Sequence, residues 1–170
     1  MDRGIGRDFM EGRPVEFPAE GLWLDRRSSG RLSDLPLCDG SFYIASSRFV
    51  DIIKPYMGHS VSAERIEVRH SRISSEWYFY LKISRGAGDY DRSMGWPAMV
   101  SKGLVGLQAA REGGESVCGF YFDLNTWDGS DIFRMGRSSY MVVTDRVAHA
   151  VASGGLVGVS LVRLDRFGCE

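Results

Sequence analysis

A chain of 170 residues with 44% hydrophobic, 12% aromatic and 25% charged side chains can bury a core as one domain, and is too apolar and aromatic to stay unfolded. Its 21 basic and 22 acidic residues leave a net charge of -1, so no global field draws it to nucleic acid or to an anionic membrane. Three cysteines, Cys38, Cys118 and Cys169, stand far apart without CxxC or Cys/His ligand spacing, so neither a disulfide framework nor a zinc site is legible.

No stretch reaches the roughly 20 apolar residues of a membrane span. Met1–Arg13 lacks the apolar core of a signal peptide, and the expected location is the cytoplasm. Arginine outnumbers lysine, which we ascribe to the base composition of the encoding genome rather than to a guanidinium-specific role.

Residues 1–40 read as an N-terminal extension and connector. MDRGIGRDFMEGRPVEFPAEGLWL mixes Gly, Pro and charge and is expected to order only near Phe17–Leu24, and DRRSSGRLSDLPLCDG follows as a polar link. Residues 41–170 read as a single α+β domain with an antiparallel-rich sheet: a first unit over 41–84, a loop and hairpin over 85–125, and a second unit over 126–170.

In the first unit, Phe42–Ala45 is a predicted strand and Ser46 or Ser47 the N-cap of a helix. Phe49, Ile52, Ile53 and Tyr56 supply the buried stripe, and Pro55 ends or kinks the helix. RIEVRH and EWYFYLKI then read as neighbouring strands of a meander. RGAGDYDRSMGWP is a glycine-rich loop. LVGLQAAR and SVCGFYFDL flank EGGE as a hairpin, with a helix over residues 102–111 as the alternative.

The second unit has an apolar strand from Tyr140, Thr144 as N-cap, and Asp145 in the first turn, where a carboxylate suits the helix dipole. A left-handed end follows at Gly154–Gly155. Val147, Ala150 and Val151 are assigned to the core. The two units align Phe42 with Tyr140, Ser46 with Thr144, Arg48 with Arg146, Phe49 with Val147 and Ile53 with Val151, the pattern of an internal repeat of strand, helix, strand. The predicted core comprises Phe42, Ile44, Phe49, Ile53, Tyr140, Val142, Val147 and Val151, and truncating Phe49 to Ala is expected to cost about 3–5 kcal/mol.

These residues carry a resemblance. WDGSDIFR, then YMVVTDRV, a short helix and GLVGVSLVRL are similar to the C-terminal pattern of an immunity-protein family of bacterial polymorphic toxin systems, formerly a domain of unknown function. YIASSRFVDII, IEVRH and WYFYLKI resemble its upstream half, so the likeness covers most of the chain from about Gly40 onward. It implies a cytoplasmic protein that binds a cognate protein toxin and blocks it. Some members add paired CxxC sequences that suggest zinc. This chain has only Cys38-Asp39-Gly40 nearby, so no metal is carried over.

Little in the sequence points to catalysis. Asp123, Asp128 and Asp131 supply the hard oxygens a divalent cation wants, but their spacing fits no recognised loop. Asp128–Gly129 is a turn pair, Asp131 can cap local amides, and structural roles are preferred for both. Trp127 either anchors its turn on the core, the preferred reading, or presents an indole to a partner. His59, His70 and His149 lack Cys, Ser or Glu neighbours in catalytic spacing and read as surface or cap residues. No catalytic residue, cofactor or metal ligand is assigned.

In the loop after Arg85, Asp89, Tyr90, Asp91, Arg92 and Trp96 stand among glycines. Tyr, Trp and Arg dominate binding hot spots, and ordering such side chains costs entropy unless they pack or bind. The candidate partner-binding set is therefore Asp89, Tyr90, Asp91, Arg92 and Trp96, with Trp127, Asp128 and Asp131. The expected function is immunity. The alternative is a small enzyme or ligand-binding domain with an acidic site at Asp123, Asp128 and Asp131.

Overall fold

A computed structural model describes residues 23–25, 33–35, 37–38, 42–69, 78–89, 104–109, 122–136, 138 and 140–164. In chain order the elements are β1 (Trp23–Asp25), β2 (Leu37–Cys38), β3 (Phe42–Ser46), α1 (Ser47–Ile53), β4 (Val61–Arg69), β5 (Tyr78–Ile83), β6 (Arg85–Asp89), β7 (Leu104–Ala109), β8 (Ile132–Gly136), β9 (Met141–Thr144), α2 (Asp145–Ser153) and β10 (Val159–Arg163). Two 3-10 turns occupy Lys54–Tyr56 and Leu124–Thr126. The arrangement is α+β and antiparallel-rich. The strands form two five-stranded sheets, ordered β1-β4-β5-β3-β2 and β10-β7-β9-β8-β6. In them only β1 with β4 and β6 with β8 pair as parallel neighbours.

Both predicted units have the order strand, helix, strand. β3 and β4 run parallel to each other with antiparallel β5 between them, and β9 and β10 do the same around β7. The intervening strand comes from opposite ends: β5 follows β4 in the chain, whereas β7 precedes β9. The likeness is therefore one of order, and neither sheet is a continuous segment repeated.

Ser46 begins α1 with an extended backbone, and its Oγ accepts from the Phe49 amide at 3.1 Å, satisfying one of the donors a helix start leaves open. The helix stops at Ile53. Pro55 has no N–H to continue the ladder, and the chain tightens into the Lys54–Tyr56 turn. Thr144 takes the N-cap position of α2 with an extended backbone but accepts no bond from the helix amides, and its hydroxyl donates to Asp131 Oδ1 at 2.6 Å. Gly155, at φ +60, supplies the left-handed residue after α2.

The larger core gathers Leu35, Tyr43, Ala45, Phe49, Val50, Ile53, Val61, Leu81 and Ile83 from the first half with Ile132, Met141, Val143, Val147, Ala148 and Val151 from the second. Phe49, at 0% exposure, sits in it as expected. Ala148, not Ala150, joins Val147 and Val151 in the buried face of α2, and Tyr140 is only half-buried. The side chain of Phe42 lies outside the described residues. Strand alternation sends Val142 and Phe133 to the other face of the second sheet, where they pack with Ala87, Phe122, Met135 and Leu164.

The expected strand at 104–109 is present, so the helical alternative for 102–111 is set aside. Its two edges are taken by β10 over Val105–Ala109 and by β9 over Leu104–Leu107, leaving no room beside residues 105–107 for the hairpin partner expected from SVCGFYFDL. Residues 110–121 lie outside the described residues.

The two sheets share one backbone. Only Ser84 separates β5 from β6, and its amide donates to Ser60 O at 2.8 Å while its carbonyl accepts from Arg134 N at 3.2 Å. Arg134, 6% exposed, adds a bond from Nε to Ile83 O at 2.9 Å. Burial lowers its pKa, against the opposing influence of Tyr43 and Tyr80. Burial likewise pushes the Tyr43 and Tyr80 hydroxyls well up, with the Arg134 charge pulling the other way. Among the described residues, no helix is long and apolar enough to cross a membrane.

Candidate functional site

Of the residues singled out for binding, Asp89, Trp127 and Asp128 belong to β6, the far edge strand of the second sheet, and to the turn bonded to it. β6, with the sequence RGAGD, pairs with β8 on one side and is bonded on the other by the turn that follows the Leu124–Thr126 helix. The Asp128 amide donates to Gly86 O at 2.9 Å, and the Gly88 amide donates to Thr126 Oγ1 at 2.7 Å. Glycine is required here. A Cβ on Gly86 would stand 2.6 Å from Phe133 Cβ and 2.8 Å from Ser130 Oγ, and one on Gly88 would stand 2.8 Å from Thr126 Oγ1. The glycines of the predicted loop thus begin as a strand that lets a second segment close on it.

The turn is built from its own side chains. Asp123 Oδ1 accepts from Asn125 N at 2.9 Å, and Asp128 Oδ1 accepts from Ser130 N at 2.9 Å and Ser130 Oγ at 2.6 Å. Gly129 takes φ +84 between them. Trp127 is half-buried and donates from Nε1 to Ser130 O at 3.1 Å. Its ring lies 5.9 Å from that of Phe133, which meets Phe122 edge-on at 5.7 Å. The anchoring reading of Trp127 holds, and part of the indole remains accessible beside exposed Asp128.

Asp131, unlike Asp123 and Asp128, makes its carboxylate bonds to residues of another segment. It binds Thr144 Oγ1 and takes a two-pronged contact from Arg146, whose Nε lies at 2.6 Å. Partial burial pushes its carboxyl up, but the hydrogen bonds from Arg146 and Thr144 and the Arg146 charge outweigh this and hold it below the usual range. The Asp131 hydrogen bond in turn raises the pKa of Arg146.

Asp89, at the end of β6, pairs with Arg85 Nη2 at 2.8 Å, while Arg85 Nε donates to Ala87 O at 3.0 Å. Asp89 thus sits at the end of β6 opposite Gly136 of β8, and Asp131 is bonded to Thr144 and Arg146 at the start of α2. Tyr90, Asp91, Arg92 and Trp96 lie outside the described residues. Asp123, Asp128 and Asp131 are each used by their own neighbours. Among the described residues, no group of three or more His, Cys, Asp or Glu is placed to hold a metal ion. His149 is exposed on α2, its Nδ1 2.9 Å from Asp145 O, and His59 is exposed in the turn before β4.

Sequence reasoning missed Arg85, Thr126 and Arg146 as partners of the chosen acids. The Gly-x-Gly spacing in RGAGD was the available signal that another segment packs closely on that strand. No protein-family model matches the chain, and no curated protein matches it either.

Proposed function

We propose that the chain is an immunity protein that binds a cognate toxin domain of a bacterial polymorphic toxin system and neutralises it in the cytoplasm of the producing cell. The resemblance of WDGSDIFR, YMVVTDRV and GLVGVSLVRL to that family supports the reading. The geometry adds one supporting observation: the WDGS turn is held on β6 by the bonds from Asp128 N to Gly86 O and from Gly88 N to Thr126 Oγ1, so exposed Asp128 and Asp89 are both carried by this edge of the second sheet. The segment Asp89–Trp96, with the Trp127–Asp131 turn beside it, is the proposed contact. Fixed positioning lowers the ordering cost of binding.

The test pairs affinity with stability. The partner to try is the variable C-terminal domain of a large secreted protein encoded by a neighbouring gene, and co-expression should rescue cells from it. Tyr90→Ala or Trp96→Ala should then weaken binding by about 2 kcal/mol or more while leaving the melting temperature nearly unchanged. Loss of stability with a proportionate loss of binding would give the loop a structural role, unchanged affinity in both would move the interface elsewhere, and failure to bind or rescue would sink the immunity reading. The alternative acidic site has less support, because each of its carboxylates already serves a local bond. A stoichiometric metal on elemental analysis, or a large fall in melting temperature with chelator, would revive it.

A further inference from the structure

We draw no further inference here: the strongest candidate, the outer edge of β10, where Val159, Leu161 and Val162 are partly exposed and no strand pairs among the described residues, carries nothing because nothing in the structure shows what covers it.

Discussion

Arg48, at the start of α1, donates from Nη2 to the carbonyl oxygen of Gly154 at the end of α2, 2.6 Å away. A cation there meets the negative end of the helix dipole and one of the carbonyls the last turn leaves open. Arg146, at the start of α2, stands 6.0 Å over the ring of Tyr56, in the turn that closes α1. The two helices therefore lie antiparallel, each with an early arginine reaching the other's end. Replacing Arg48 with Ala should cost about 0.5–1 kcal/mol. In a domain of this size that is a fall of about 2–4 °C in melting temperature for the upper figure. Arg48→Lys should recover only part of it, and an unchanged melting curve for Arg48→Ala would deny the contact any weight.

Asp34 ties three segments together. Its Oδ1 accepts from Ser46 Oγ at 2.5 Å and its Oδ2 from Val157 N at 2.7 Å, while its own amide donates to Val157 O at 2.7 Å. Asp34→Ala should destabilise by about 1–3 kcal/mol, since the Val157 amide and the Ser46 hydroxyl both lose an acceptor. Combined with Ser46→Ala, the loss should be less than additive, as expected for groups in one network. Chemical denaturation of the two single variants and the double variant measures the coupling, and strict additivity would show that the two groups act separately.

The Tyr43 hydroxyl is buried, the residue being 4% exposed, and has no hydrogen-bond partner among the described residues. An unsatisfied buried donor costs about 1–3 kcal/mol. Tyr43→Phe keeps the ring in the core and removes that cost, so it should raise stability by about 1 kcal/mol. A lower denaturation midpoint for Tyr43→Phe would mean that the hydroxyl is satisfied in solution.

Asp131 gives a pH dependence of known sign. A carboxyl held below its unfolded value contributes stability above that value, about 4 for Asp, and the contribution disappears as pH falls through the folded value. The stability difference between the wild type and Asp131→Asn should therefore be constant near neutrality and shrink below about pH 4. Because Arg146 is exposed, added salt should reduce the difference at neutral pH. A difference that grew on acidification would reverse the assignment.

Local chemistry was what the sequence could express. Ser46 as N-cap, Pro55 as a helix stop, Gly155 as the left-handed end and the aromatic and β-branched run of β5 all act within a few residues, and all are present. What it could not express depends on partners far along the chain. Asp34 looked like connector because Val157 is 123 positions away. Thr144 is the N-cap residue expected, but nothing in its neighbourhood announced that its hydroxyl would donate to Asp131, 13 positions earlier and across a strand. The acidic trio looked like a set by proximity in sequence, but the carboxylates of Asp123 and Asp128 bond within their turn while that of Asp131 bonds Thr144 and Arg146. The replacement of Ala150 by Ala148 in the core reflects a helix packed against both α1 and strands β7 and β9, whose buried face is set by both.

The join at Ser84 has a mechanical consequence. Because Tyr78–Asp89 passes from one sheet into the other with Ser84 as the sole break, an opening that frees β5 from β4 pulls on the residues that hold β8. The halves then have no separate melting steps. Amides of β5 and β8 should exchange with solvent at one shared rate governed by global opening, whereas amides in the short strands β1 and β2 exchange through fraying at the periphery.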